Sequence, residues 1–331
     1  QMSLEGWKPV HAVDADRNVL MAQTDAPVRS LMELKPKRLF VNAKGETIVD
    51  FGQNFAGHIR VEGIHAASGQ EITFEHTEEL DKDETFIYPF LEDVQQQRDV
   101  YIAGGKSDEC FEPTLTYHGF RYVRVTTEPA LEWKESQFTG VVVGSDNEKS
   151  GEFSCSDRRL NQLQSNITWS QRSNLVGIPT DCPTREKAGW TGDVYIYGKT
   201  SCFNQNLLTF YEEWLRSVRA EQMDNGGVAY TVPQIKNYVQ QLGGISTGWG
   251  DVIVELPLQL YRIYGDRSVL EQNYDAMKRW QRCLQHMAES ELSPEAAQME
   301  GRELENQRYL INTGFRRYDR KTRKNRGPSR R

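Results

Sequence analysis

The spacing of apolar residues changes once along the chain, and this change limits the fold more than any other feature. In the first part, apolar residues often alternate with polar ones, as at Ile59 and Val61 and at Val123 and Val125, which is the period of a half-buried β-strand. In the second part they recur every three or four residues, which is the period of an amphipathic helix. We therefore expect a β domain followed by a helical domain, with the boundary within residues 145–151.

The first part predicts short strands separated by glycine-containing turns. Seven runs have this pattern: 38–42, 47–51, 58–62, 71–76, 99–103, 120–126 and 138–143. Strands of this length and spacing favour an antiparallel β-sandwich, which we expect over residues 1–145.

The second part predicts helices joined by long loops rich in glycine and aromatic residues. Ser156 and Asp157 predict a helix cap, and Leu160, Leu163 and Ile167 follow it at helical spacing. Two further apolar stripes have the same period: Phe203, Leu207, Phe210, Trp214 and Val218, and then Leu270, Tyr274, Met277, Leu284 and Met287. Long loops on such a scaffold are frequent places for functional sites.

The overall charge argues against a nucleic-acid partner. The formal net charge is -7, whereas phosphate binding needs a basic face.

No run approaches the roughly 18 apolar residues of a membrane span, so we expect no membrane partner. The five cysteines share no C-x-x-C spacing and no H-E-x-x-H motif is present, so we expect neither a metal nor a cofactor. No signal peptide is visible, which slightly favours the cytoplasm, but the compartment and the oligomeric state are left open.

The densest group of reactive side chains lies in residues 181–193, DCPTREKAGWTGD, with three carboxylates, one guanidinium and one indole. Its prolines and glycines predict a loop that leads into a helix beginning near Thr191 or Asp193. Sugar hydrolysis needs an acid to protonate the leaving oxygen, carboxylates to hold hydroxyls and an aromatic plane against the ring. The alternative is a salt-bridged loop in which Arg185 pairs with an acidic neighbour and Trp190 only packs. Spacing alone leaves both interpretations open.

The order of residues in this loop resembles the signature of the bacterial α-L-rhamnosidases, glycoside hydrolase family 78, whose catalytic domain is a six-hairpin (α/α)6 barrel. Eleven positions of the thirteen-residue pattern D-C-P-x-R-E-K-x-G-W-T-G-D are fixed, and this chain meets all eleven. Further segments resemble family landmarks in family order: DFGQN at 50–54, HGFRY at 118–122, GEFSCS at 151–156, GWGD at 248–251, YGD at 264–266 and YLINTGF at 309–315. The resemblance covers residues 40–315.

The resemblance implies hydrolysis of terminal α-L-rhamnose from a rhamnose-containing glycoside or oligosaccharide, with inversion. It implies Glu186 as the general acid. Asp50 and His118 lie in the sandwich portion, and we expect them to be structural. The substrate-binding residues that it implies are Asp181, Arg185, Trp190, Asp193, Trp249 and Asp251. Two alternatives remain open, another six-hairpin glycosidase acting on a different sugar and a non-catalytic carbohydrate-binding fragment.

The barrel of the family needs more chain than this sequence offers. Twelve helices of roughly 12 residues with their loops exceed the length of residues 146–315, so we expect only the N-terminal part of the barrel there. The resemblance places the general base, a glutamate, in the late barrel beyond this chain. We therefore expect a fragment that is inactive alone. Nine of residues 316–331 are Arg or Lys, and we expect this basic tail to be non-native or disordered, as after a reading-frame error or gene truncation.

Overall fold

A computed structural model describes residues 5–88, 97–235 and 245–290, together with seven residues between 298 and 311. The predicted basic tail, residues 316–331, lies outside the described residues.

Eight strands in the first part form one antiparallel sheet, which confirms the expected β domain. They are β1 Val28–Leu34, β2 Arg38–Val41, β3 Thr47–Ile64, β4 Glu71–Thr77, β5 Arg98–Ile102, β6 Glu109–Phe111, β7 His118–Thr127 and β8 Phe138–Ser145. The strand order is β1-β8-β3-β7-β4-β5, and β2 and β6 both pair with β3. The long strand β3 is therefore the centre of the domain.

The predicted strands 47–51 and 58–62 are both parts of β3. Its pairing with β7 shifts register between Asp50 and Phe55, and Gly52 adopts a positive φ of 71° there, as expected where a bulge redirects a strand. The prediction missed β1 because most of its side chains are exposed, so no alternation of apolar residues marks it.

The core of the β domain is built around three phenylalanines. The rings of Phe55 and Phe120 lie 4.4 Å apart, and that of Phe51 lies 5.8 Å from each of them. All three side chains are buried, and aromatic pairs at such distances add to the stabilisation that comes from burial itself.

We expect Gly57→Ala to destabilise this domain by about 1–3 kcal/mol, the usual effect of overpacking. A Cβ atom on Gly57 would lie 2.0 Å from the backbone oxygen of Val141 in β8, so the two strands would have to separate. Gly151→Ala is the control, because a Cβ there meets nothing within 4 Å. Urea unfolding measures both effects, and an unchanged free energy of unfolding for Gly57→Ala would contradict this close approach.

Five helices follow in the described residues: α1 Arg158–Ser173, α2 Thr191–Asn204, α3 Leu208–Ala220, α4 Val252–Tyr264 and α5 Ser268–Ser290. The side chain of Asp157 accepts a hydrogen bond from the backbone of Arg159 and caps α1 as predicted. Gly265 ends α4 in the left-handed conformation with φ 73°, which glycine adopts without strain. A short hairpin of β9 Leu175–Val176 and β10 Ile178–Pro179 leads from α1 towards α2.

The predicted apolar stripes are partly wrong. The run from Phe203 to Val218 is divided between α2 and α3, because the chain turns at residues 205–207. In α5, Tyr274 is exposed, since the helix buries the side facing α4, which includes Val269 and Trp280. Other apolar residues on helical faces are also exposed in the described part of the chain, namely Leu160, Leu163, Ile196 and Phe203.

The two domains meet where α1 packs against β3 and β8. At this junction the backbone N–H of Ala56 donates to the Ser173 hydroxyl, 3.2 Å away. Among the helices within the described ranges, none is long and apolar enough to cross a bilayer.

Candidate active site

The loop between β10 and α2 is closed by its own hydrogen bonds. The Asp181 backbone N–H donates to the Ala188 carbonyl, and the Ala188 N–H donates to Oδ1 of Asp181, both at 3.0 Å. The helix α2 begins at Thr191, as the sequence predicts. The loop therefore holds residues 182–187 in one turn at the entrance to α2.

The β domain contacts this loop through the start of β7. A Cβ atom on Gly119 would lie 2.6 Å from Cγ of Pro183, so the Gly119 backbone lies against the Pro183 side chain and leaves no room for a side chain of its own. The Lys187 ammonium donates to the carbonyl of Tyr117 at 2.5 Å and lies 4.6 Å from the centre of its ring. Burial lowers the pKa of Lys187. The start of β7 thus fixes the loop.

The Glu186 carboxylate is held on both oxygens. The Trp190 indole N–H donates to Oε2 at 2.7 Å, and the Arg185 guanidinium donates to Oε1. The Glu186 side chain is 14% exposed, whereas that of Arg185 is 52% exposed. The pairing of Arg185 with Glu186 that the salt-bridge alternative required is present, and Trp190 also makes a polar contact with the same carboxylate.

A pocket of about 640 Å³ opens beside this loop and is lined by Asp181, Asp193 and Trp249. Burial raises the pKa of Asp181, and repulsion from Glu186 adds to it. The protein around Asp193 dehydrates its carboxylate and raises its pKa, with repulsion from Asp181 and Glu186 adding to the effect. The three carboxylates are therefore close enough to influence one another.

The Tyr230 ring contacts both the loop between β10 and α2 and the loop that carries Trp249. The Tyr230 ring makes edge contacts with Trp190 at 6.3 Å and with Trp249 at 5.9 Å between centroids. The backbone at Tyr230 is bonded to the start of α2, since the Thr191 N–H donates to the Tyr230 carbonyl at 2.8 Å. Tyr230 was missed in the sequence because it lies in no motif; only its aromatic type in a loop gave any signal.

Asp251 is placed differently from Asp181 and Asp193. Its Oδ2 accepts from the Gly248 backbone N–H at 2.8 Å, and its Oδ1 accepts from the Trp280 indole at 2.9 Å. These bonds fix the loop that carries Trp249. Four predicted site residues do not line the pocket: Arg185, Glu186, Trp190 and Asp251. A substrate contact by Asp251 stays a prediction, while its part in positioning Trp249 is visible.

Two sequence families match the chain one after the other. The bacterial alpha-L-rhamnosidase concanavalin-like domain matches residues 41–144, and the bacterial alpha-L-rhamnosidase 6 hairpin glycosidase domain matches residues 148–302. The gap between the two matches falls between β8 and α1. The position of the change in fold therefore agrees with the change in family.

Sequence relatives and solved structures that resemble this chain are also alpha-L-rhamnosidases. An alpha-L-rhamnosidase of Formosa agariphila is 36% identical over 83% of this chain and 29% of its own length. The Streptomyces avermitilis alpha-L-rhamnosidase, solved in complex with L-rhamnose, has a TM-score of 0.76 at 35% identity over 82% of this chain and 26% of that chain. For the Aspergillus terreus alpha-L-rhamnosidase the TM-score is 0.76 at 36% identity, over 84% and 32%. The expected architecture, a β domain followed by part of a six-hairpin barrel, is confirmed, and the chain spans less than a third of the length of these relatives.

Proposed function

The chain belongs to the bacterial α-L-rhamnosidase family, and we propose that it supplies the general acid and part of the sugar pocket for inverting hydrolysis of terminal α-L-rhamnosides. The substrate is a rhamnose-containing glycoside or oligosaccharide. The observation that carries this proposal is the Glu186 carboxylate, which the Trp190 indole holds next to two further carboxylates, Asp181 and Asp193.

In this role Glu186 gives a proton to the glycosidic oxygen while water attacks the anomeric carbon from the opposite face. Its Oε2 keeps the hydrogen bond from Trp190, so the carboxyl group stays oriented. Its Oε1 faces Arg185, whose side chain is half-exposed and can turn towards solvent. Release of Arg185 leaves Oε1 to carry the proton that is transferred.

The pocket residues hold the sugar ring. Carboxylates accept strong hydrogen bonds from hydroxyl groups, which suits Asp181 and Asp193, and the indole of Trp249 offers an apolar face to the ring. An inverting enzyme also needs a base about 6.5–9.5 Å from the acid to activate water. The family resemblance places that base in a glutamate C-terminal to residue 315, so turnover requires a longer protein than this chain.

A non-catalytic role in binding carbohydrate is the second candidate. It is favoured by one observation, that the chain spans less than a third of its relatives. The two candidates differ in turnover by a longer protein that contains this chain, because a binding module leaves the glycosidic bond intact.

We expect the 331-residue chain to bind L-rhamnose saturably without hydrolysing an aryl α-L-rhamnoside. Asp193→Asn should weaken binding by about 10–100-fold, the usual loss for a hydrogen bond to a charged group. Tryptophan fluorescence during titration with L-rhamnose measures the affinity, because Trp249 lines the pocket. Asp275→Asn is the matched control, since Asp275 pairs with Lys278 on the surface of α5.

Each outcome tests one part of the proposal. Hydrolysis by the chain alone would show that the missing base is not needed. Tighter binding of D-glucose than of L-rhamnose would favour another six-hairpin glycosidase. Equal affinities for Asp193→Asn and Asp275→Asn would remove Asp193 from the sugar pocket.

A further inference from the structure

Three potential metal ligands meet inside the β domain, below the loop that carries Glu186. They are His76 on β4, Asp99 on β5 and His118 on β7, and their ligand atoms all lie within 4.8 Å of one another. His76 is 0% exposed and His118 is 3% exposed. The two imidazole rings stack with their centres 4.1 Å apart.

The hydrogen-bond network fixes which nitrogen of each ring carries a proton. Nδ1 of His76 lies 3.1 Å from the carbonyl of Gln97, which can only accept, so Nδ1 donates. The Gln97 side-chain NH₂ donates to the Gly119 carbonyl at 2.8 Å, which turns its amide oxygen towards Nδ1 of His118, 3.3 Å away. That Nδ1 therefore donates as well. In neutral imidazoles both Nε2 atoms then carry lone pairs.

Both lone pairs face the carboxylate of Asp99. Nε2 of His118 is 3.1 Å from Oδ1, and Nε2 of His76 is 3.9 Å from Oδ2. A proton on Nε2 of His118 would form a hydrogen bond to Oδ1 of Asp99. It would leave Nε2 of His76 and Oδ2 of Asp99 without a hydrogen bond. His76 Nε2 and Asp99 Oδ2 are buried and have no hydrogen-bond partner among the residues that the structure describes.

We propose that His76, Asp99 and His118 bind one divalent transition-metal ion, with Zn²⁺ the best match, through two imidazole Nε2 atoms and a carboxylate oxygen. Two imidazoles with a carboxylate are a common donor set for Zn²⁺. The bonds from each Nδ1–H to Gln97 are the outer contacts that orient metal-binding histidines. Ligands at about 2.0–2.2 Å from the metal lie closer together than 4.8 Å, and the two rings are already stacked, so binding must tilt the rings until their Nε2 atoms converge on the metal.

The site lies directly under the loop of the candidate active site. His118 stands between Tyr117, whose carbonyl accepts from Lys187, and Gly119, which contacts Pro183. A metal at His118 would therefore fix the start of β7, on which the loop rests. The positive charge of Lys187 acts on both Asp99 and His76 and opposes a cation, so Lys187→Met should bind the metal more tightly.

The test uses the whole chain without an affinity tag, stripped with a chelator and titrated with Co²⁺ and then Zn²⁺. We expect one Co²⁺ per chain, with the visible absorption of four- or five-coordinate Co²⁺, and displacement by Zn²⁺. His118→Ala and Asp99→Asn should lose the band. Gln97→Leu should weaken binding by about 10–100-fold, as loss of an outer contact does. His65→Ala is the control, because His65 is an exposed histidine of the same domain.

Circular dichroism shows whether each variant folds. If a variant misfolds, X-ray absorption at the zinc edge of the wild-type chain still counts the imidazole ligands, and two are expected. The absence of stoichiometric binding, fewer than two imidazoles, or a Co²⁺ band that survives in folded His118→Ala would each overturn the proposal. This test does not depend on rhamnoside hydrolysis.

Discussion

Replacing Glu186 by glutamine, in a full-length protein that carries this chain, should lower hydrolysis of rhamnosides with poor leaving groups by about 10²–10⁴-fold. Glutamine keeps the shape of the side chain but has no proton to transfer to the glycosidic oxygen. Its amide oxygen can still accept from the Trp190 indole, which lies 2.7 Å from Oε2 in the present structure. Substrate binding should therefore change little.

The leaving group identifies the role of the residue. With an aryl rhamnoside, whose phenolate departs without full protonation, the loss in Glu186→Gln should be much smaller. Asp193→Asn is the control, because a residue that holds a hydroxyl acts on all substrates alike. Steady-state rates over a series of leaving groups measure the difference. Equal sensitivity of both variants, or an unchanged rate for Glu186→Gln, would move the acid role to another carboxylate.

The sequence predicted the local structure of the site better than its assembly. The loop and the start of α2 at Thr191 were predictable, because proline, glycine and polar residues act over a few positions. Tyr230 was not predictable, because it reaches the site through backbone pairing with Thr191. Pairing between segments that are distant in the sequence produces no characteristic residue spacing. The bonds of Asp251 to Gly248 and Trp280 likewise depend on how α4 and α5 pack.

The cluster of His76, Asp99 and His118 shows the same limit within the β domain. The sequence predicted the strands that carry His76 and Asp99, and it predicted the third strand over 120–126, which begins two residues after His118. It did not predict the register between the three strands. In the structure β4 pairs with β5 on one side and with β7 on the other, with Phe74 opposite Asp99. This register brings together His76, Asp99 and His118, which are 23 and 19 positions apart in the sequence. Because the histidines are scattered along the sequence, we predicted no metal site. The place of His118 in the β domain predicted a structural role, which agrees with a structural metal.

Gly192→Ala should separate stability from activity. Gly192 is the second residue of α2, where alanine stabilises a helix by up to about 1 kcal/mol relative to glycine. Its Cβ atom, however, would lie 2.7 Å from Nε1 of Trp249, which is closer than van der Waals contact allows. The indole must therefore move, while Asp251 and Trp280 continue to hold the loop that carries it.

We expect Gly192→Ala in the full-length protein to lower kcat/KM for rhamnosides by about 10²-fold, since a shift of about 1 Å in a positioning group can cost that much. The melting temperature should stay near that of the wild type, because the gain in helix propensity offsets the local crowding. Gly198→Ala on the same helix is the matched control: its Cβ meets Cδ1 of Leu256 at 3.0 Å, the end of a flexible side chain that does not line the pocket. Wild-type kcat/KM in Gly192→Ala would mean that the position of Trp249 does not matter for the substrate. An equal loss in Gly198→Ala would attribute the effect to α2 as a whole.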